Sequence, residues 1–196
     1  MQIRRVLNTV LVLMLCVGTA NLLAGETAVL DRNLSALVSD FNQDADKVRL
    51  VFIVGPTCPV CREGLVAMKE DVLARVPEHS QLSIFVVHVP ALEAREEDVG
   101  TTFGLFSDPR ARQYWDEMGT SGIRFQRSLS LPTYAWDVWM IYPAGARWEA
   151  KDPPSPARWW HQLKGVLPEH RLDAAEFSTV LNEMLSTSST VKAGAE

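Results

Sequence analysis

The sequence is poor in the residues that build several common kinds of site. It holds only three cysteines and four histidines in 196 residues. There is no second C-x-x-C and no H-x₃₋₅-H pair, so a four-ligand structural zinc site has no local signature. No P-loop, no Rossmann fingerprint and no Ser/His/Asp order is present, which leaves nucleotide binding and serine-type hydrolysis without support. The basic residues are scattered, 19 against 24 acidic ones, and the net charge of −5 does not suggest a nucleic-acid surface. No internal repeat is found.

What is present begins with an unusual N-terminus. "MQIRR" puts Arg4 and Arg5 ahead of "VLNTVLVLMLCVG", and small residues follow at Gly18, Ala20, Ala24 and Gly25. That order of charged, apolar and small residues is a secretory signal peptide, with cleavage expected after Ala20 or Ala24. The stretch Val6–Ala24 is also about as long as a bilayer span, so an uncleaved anchor is the alternative. Either way the two arginines keep the N-terminus inside and place the rest outside the cytoplasm: periplasmic, secreted, or anchored facing outward. Cys16 lies within the apolar run, and Leu15 stands where a lipoprotein would need a small residue. The expected organisation is a signal peptide or membrane anchor over 1–25, one domain over 26–185 and a disordered tail over 186–196. The exported part keeps Cys58 and Cys61, in a compartment where disulfides persist.

Along the chain, Leu30, Leu34, Leu37 and Phe41 recur at helical spacing and predict an amphipathic helix over 27–43. "VRLVFIV", Val48–Val54, reads as a buried strand. Pro59 suits a first helical turn, and Leu65, Met68, Val72 and Val76 line one face of a helix that stops at Pro77. Gly64 costs that helix roughly 1 kcal/mol relative to Ala. "LSIFVVHV", Leu82–Val89, is a second apolar strand, completing a βαβ unit with parallel strands. Cys58 therefore sits at the carboxyl end of a strand and the amino end of a helix, the edge where α/β sheets place reaction sites.

Beyond it, Pro90–Phe106 shows no clear period, and the "REED" run Arg95–Asp98 reads as a solvated loop. A short helix is expected from Asp108 to about Met118, and a hairpin over Ala135–Ala150 turning at Pro143–Gly145. An irregular insertion follows from Lys151. Asp173 and Glu176 form a capping box for a terminal helix through Phe177, Val180, Leu181 and Met184, ending near Leu185.

At a helix start the Cys58 sulfur meets unpaired N–H groups and the positive end of the dipole. Such thiols fall from about 8.5 to between roughly 3.5 and 7.5. Cys61, one turn further in, is expected to stay protonated until it attacks a mixed disulfide. Other readings of the pair stay open. A passive bridge closing so short a loop stabilises by only about 2 kcal/mol, against about 3 for a fifteen-residue loop. A thiol-based metal carrier would have Cys58 and Cys61 as half a site, with His161 or His88 brought in by the fold, and copper(I) would accept so few ligands. His161 reads more simply as a packed histidine. A non-catalytic interaction domain is the third possibility. The six tryptophans, all between Trp115 and Trp160, read as packing or as an aromatic wall for a partner.

The order helix, strand, C-x-x-C helix, strand, hairpin and terminal helix resembles the thioredoxin superfamily over about residues 27–185, most specifically over 48–76. "CPVC" is similar to the C-P-x-C of glutaredoxins and of periplasmic disulfide oxidoreductases. The resemblance implies an α/β thioredoxin-like fold, a central mixed sheet flanked by helices, with an inserted segment before the C-terminal helix. It implies thiol–disulfide exchange through catalytic Cys58 and Cys61, with no cofactor beyond their redox-active disulfide. The implied partners are protein thiols or disulfides and a redox partner, and no nucleic acid; membrane attachment would run through the N-terminal segment. Thr57, Pro59 and Val60 would line the substrate groove.

Three positions depart from the family pattern. Thr57 stands where a Trp often precedes the first Cys. Phe52 stands where thioredoxin has a buried Asp that serves proton transfer. The family's cis-proline has two candidates: "LPT" gives Pro132, whereas counting back from Gly145 gives Trp136. A non-proline cis bond costs roughly 3–4 kcal/mol, so Pro132 is the expected occupant.

Overall fold

The computed structural model describes residues 27–193, with side chains to 188. The expected signal peptide or anchor over 1–25, Cys16 included, lies outside the described residues. Among these residues no helix is long and apolar enough to cross a membrane.

Six strands form one mixed sheet: β1 (Thr27–Val29), β2 (Val48–Val54), β3 (Leu82–His88), β4 (Ala111–Trp115), β5 (Asp137–Tyr142) and β6 (Arg158–His161). The spatial order is β1-β4-β3-β2-β5-β6. The first four are parallel, while β5 runs antiparallel to β2 and β6 antiparallel to β5. Helices α1 (Ser35–Gln43), α2 (Pro59–Ala67), α3 (Glu96–Phe103), α4 (Thr120–Ser128) and α5 (Ala174–Ala193) complete the fold.

Every residue of β2 and β3 is buried, because helices cover both faces of the sheet. Alternation along β2 sorts the core into two layers. Val51 and Ile53 pack with Leu37 and Phe41 of α1 and Phe125 of α4. Leu50, Phe52 and Val54 pack with Leu65 of α2 and Phe177 and Leu181 of α5, in the layer that also holds both cysteines.

The βαβ unit stands where periodicity placed it, and the local departures have identifiable causes. The apolar pattern of 27–43 belongs to two elements: β1 pairs with β4, and the helix starts only at Ser35. Asp31 Oδ1 accepts from the N–H groups of Asn33 and Ser35, a capping turn that separates them. "REED" opens α3 instead of forming a loop, with Asp98 Oδ2 accepting from Arg95 N–H at 2.8 Å. The helix expected from Asp108 is strand β4, set between β1 and β3, with Gln113, Tyr114 and Trp115 buried. Asp108 holds Arg110 by backbone and guanidinium, making a turn where a helix start was read.

The expected hairpin is half right. Its first strand is β5, but the partner is β6, inside the segment read as an irregular insertion. The cause is Arg49, fully buried within β2. Its guanidinium donates to the carbonyls of Pro143, Ala146 and Phe41, clamping the 143–146 turn at the sheet's end. Gly145 takes φ +91 there, and β5 is joined to β6 by a longer excursion. Finally, α5 continues past Leu185 to Ala193, into the segment expected to be disordered. No Gly or Pro interrupts it, and Ser186, Thr187 and Ser188 bond back to carbonyls four residues earlier.

Candidate active site

Strand β2 ends at Val54, and a turn through Gly55, Pro56 and Thr57 delivers Cys58 to the N-cap of α2 with extended backbone, φ −76 and ψ 116. Its sulfur accepts from the Cys61 N–H at 3.2 Å. That is the cap interaction normally made by Ser or Asp, and it favours the anionic sulfur. Cys58 is 6% exposed and Cys61 wholly buried, and the two are unbridged. Pro59 occupies the first helical turn, where its missing N–H costs nothing.

The two thiols are driven apart. The hydrogen bond from the Cys61 side chain, aided by the Cys61 and Val60 N–H groups, pulls Cys58 down to about 7 against its burial and the Asp137 charge. Cys61 is raised well beyond the ordinary thiol range by that same bond to Cys58, by burial and by Asp137. The Trp136 carbonyl, 3.5 Å from its Sγ, is the alternative acceptor for its one S–H. One sulfur is eased towards thiolate and the other is held as a thiol.

The residue that sequence reasoning missed is Asp137. It opens β5 and pairs with Val54 in the antiparallel register, which carries it to the same edge as Cys58. The two sulfurs and a carboxylate oxygen of Asp137 all lie within 4.8 Å of one another. Burial pushes its carboxyl up to about 6, against a hydrogen bond from Trp139 Nε1 at 2.9 Å and the charge of Arg171. The Gln162 amide, with its nitrogen turned to the site, donates to Asp137 Oδ1 at 3.3 Å and to Val60 O at 3.2 Å, tying β5 to the helix start. The signal was in the chain: one acid opens the otherwise apolar "DVWMIY".

Other predicted residues divide cleanly. Thr57, Pro59 and Val60 are exposed around Cys58. The Thr57 hydroxyl donates to the carbonyls of Ala91 and Leu92, both at 3.3 Å, and so pins the loop after β3. No cis peptide occurs among the described residues, and Pro132 is exposed. The β2·β5 register decides the matter: with Asp137 opposite Val54, the residue facing the thiols is Trp136, and the expected cis-Pro132 lies upstream of the site. Phe52 packs edge-on or tilted against Phe106, Trp139 and Phe177 as core.

His161 and His88 do not join the thiols. His161 Nδ1 accepts from Leu163 N–H at 3.0 Å, and Nε2 lies 3.2 Å from the Leu167 carbonyl. His88 is buried with Nε2 2.8 Å from Gln113 Oε1, and burial pushes it down to about 4. The metal reading with His161 as third ligand is therefore corrected. Cys58, Cys61 and Asp137 are the metal-spaced group among the described residues, one short of the four ligands of a structural zinc site.

A parallel β2–α2–β3 unit carries C-x-x-C at its helix start, antiparallel β5 and β6 extend the sheet beyond β2, and α5 closes the face above the cysteines. The chain has a thioredoxin-like fold. Strand β4 lies between β1 and β3. No family model matches the chain, and no curated protein matches it. Among solved structures it is similar to a protein proposed to be a disulfide isomerase from Bacteroides thetaiotaomicron, 11% identical over 76% of this chain and 77% of that one, TM-score 0.45. It is also similar to the reduced N-terminal domain of PilB from N. meningitidis, 19% identical over 70% and 80%, TM-score 0.40. A third is a secreted Mycobacterium tuberculosis disulfide oxidoreductase homologous to E. coli DsbE, 12% identical over 72% and 82%, TM-score 0.39.

Proposed function

We propose that this thioredoxin-like chain is an extracytoplasmic thiol–disulfide oxidoreductase that exchanges disulfides with other proteins through Cys58 and Cys61. The observation that carries the reading is the asymmetric pair: a capped Cys58 sulfur at a helix start, a buried Cys61 thiol, and the Asp137 carboxyl within 4.8 Å of both. A passive bridge needs neither the asymmetry nor the acid.

In the reducing direction, Cys58 thiolate attacks one sulfur of a substrate disulfide. A Cys58–substrate disulfide forms and the other substrate sulfur leaves as thiolate. Cys61 then gives its proton to Asp137, and its thiolate attacks Cys58. The Cys58–Cys61 disulfide forms and the second substrate thiolate leaves. Two electrons pass from the dithiol to the substrate; the reverse sequence oxidises a substrate dithiol. Proton transfer needs hydrogen-bond reach or one bridging water, and 4.8 Å is within the reach of one water.

Cys58 near 7 stabilises the reduced form modestly, far less than a nucleophile near 3.5 does in a strong oxidant. The pair is therefore a reductant or of intermediate potential. The export pattern around Arg4 and Arg5 supports an extracytoplasmic site of action. The test is the redox equilibrium of the reduced chain in graded glutathione buffers, read by alkylation and mass. A potential above about −300 mV supports exchange, while a bridge that stays closed throughout makes the pair structural. Stoichiometric, chelator-reversible binding of copper(I) or zinc would instead favour a carrier.

A further inference from the structure

Five large apolar side chains stand well exposed among the described residues, and four of them belong to the connections at the carboxyl edge of the central strands. They are Val60 at 40%, Leu92 at 52%, Met118 at 45% and Ile123 at 45%. The fifth, Val29, lies on the edge strand β1. Val60 lies between the cysteines, and Leu92 sits on the loop that the Thr57 hydroxyl holds beside Cys58. Leu92 and Glu93 take φ +55 and +60, a region L side chains disfavour, so the backbone is strained where it displays Leu92.

Beside this loop lies a cavity of about 660 Å³ lined by Met118, Ile123, Tyr134, Trp136 and Leu163, with Lys164 its charged residue. Its wall is preformed. Tyr134 donates to the Gly119 carbonyl at 3.0 Å, and a Cβ at Gly119 would come within 2.6 Å of the Tyr134 oxygen. The cavity shares two residues with the thiol site. The Ala91 carbonyl accepts from Thr57, and the Trp136 carbonyl lies 3.5 Å from the Cys61 sulfur. Two of its apolar walls, Met118 and Ile123, come from the connection after β4 and from α4.

We propose that this cavity selects the partner: it receives a large apolar side chain, aliphatic or aromatic, next to the reactive cysteine of a substrate polypeptide. The proposal rests on the exchange reading of Cys58 and Cys61 and names the kind of substrate that site takes. The occupant follows from the reaction. A substrate disulfide that reaches Cys58 must lay its flanking chain over the surface adjoining Cys58, and on the Ala91–Trp136 side that surface is the cavity. Its size falls in the range of roughly 300–1,000 Å³ usual for ligand pockets. An anchor residue buried in a preformed pocket is the usual source of binding energy at such contacts. Lys164 on the rim favours a neutral or acidic neighbour over a basic one.

The test uses the reduced protein and two disulfide peptides identical except that one carries Phe and the other Ser beside the cysteine. The wild type should react at least roughly tenfold faster with the Phe peptide, the scale expected for burying one large apolar side chain. Ile123→Glu or Met118→Glu should bring that ratio close to one; both residues are half-exposed, so a charge there leaves the core intact. A wild-type ratio near one, or a ratio that neither variant changes, overturns the proposal. Binding is also measured with the same peptides carrying Ser in place of the cysteine, which does not depend on exchange. If oxidised glutathione is not reduced, the exchange reading fails by itself, and preferential binding of the Phe peptide still decides the cavity. Self-association abolished by Ile123→Glu, with no peptide preference, would assign the face to a second copy and overturn the proposal.

Discussion

The Asp137 carboxyl stands within 4.8 Å of the Cys61 sulfur, and its charge is one reason that this thiol resists ionisation. The two come from elements far apart in sequence. They meet because β5 lies antiparallel on β2 with Asp137 opposite Val54. The same neighbour that opposes the Cys61 thiolate is the group placed to take its proton, and those two roles make opposite predictions.

Asp137→Asn separates them. If the carboxylate acts only through its charge, removing it eases ionisation of Cys61 and resolution of the mixed disulfide speeds up. If it takes the proton, resolution slows, by roughly a hundredfold on the usual scale of general-base catalysis. We expect the slowing, read by stopped-flow release of a chromophoric thiol. In the wild type the same rate should fall as pH drops through about 6, where Asp137 becomes protonated. Faster resolution in the variant rules out the proton-acceptor role.

The variant should also be more stable at neutral pH. The folded-state carboxyl is raised from 3.8 to about 6, so the folded protein holds its proton more tightly than the unfolded chain does. Stability contributed by this group therefore falls as pH rises from about 4 to about 6, and the cost is complete above that. Asp137→Asn removes a cost of order 3 kcal/mol at pH 7. Thermal melts of the reduced proteins should show a higher Tm for the variant at pH 7.5, with the gap closing towards pH 4.

Alkylation of Cys58 by iodoacetamide should titrate with a midpoint near 7, whereas Cys61 stays unreactive through neutral pH. Mass spectrometry of the singly modified protein identifies the site. Prompt modification of both thiols at pH 7.5 contradicts the asymmetry. The depressed Cys58 value also makes the reduced fold lose stability as pH falls from about 9 through about 7.

Gly64→Ala tests a close approach. A Cβ there would run into the Trp139 ring and come within 2.6 Å of the Gln162 side-chain amide. Ala gains roughly 1 kcal/mol of helix propensity, but Trp139 is fully buried and overpacking costs about 1–3 kcal/mol. Net destabilisation is expected in urea unfolding; an unchanged midpoint would mean that the ring moves aside freely.

Arg49→Met keeps most of the volume but leaves the carbonyls of Phe41, Pro143 and Ala146 without their donor. Only the Phe41 contact is wholly buried, Pro143 being exposed and Ala146 partly so, and one unpaired buried carbonyl costs about 1–3 kcal/mol, so a loss of about 1–3 kcal/mol in urea unfolding is expected. A loss below about 1 kcal/mol would show that the 143–146 turn does not depend on this guanidinium.

The parts legible in the sequence were local. Continuous apolar runs marked β2 and β3, the spacing of Leu65, Met68 and Val72 marked the helix between them, and C-P-V-C marked the place where strand becomes helix. The misread parts were ambiguous locally. "ARQYW" has no helix or strand signature of its own and becomes β4 because the free edge of β3 pairs with it. "RWWH" becomes β6 because Arg49 turns the chain aside after β5 and leaves that edge open for a later segment. The proline-threonine pattern at Pro132 suggested the groove, yet register gives that position to Trp136.

The sequence by itself determined which thiol is capped. A cysteine at the N-cap of a helix has its chemistry set by the N–H groups of its own next turn, within the span from Cys58 to Cys61. Only the tertiary structure decided the acid and the cavity. Asp137, Trp136 and Ile123 reach the thiols or their rim through strand register and through helix α4, and no periodicity within a single segment encodes which distant residue will stand opposite Val54.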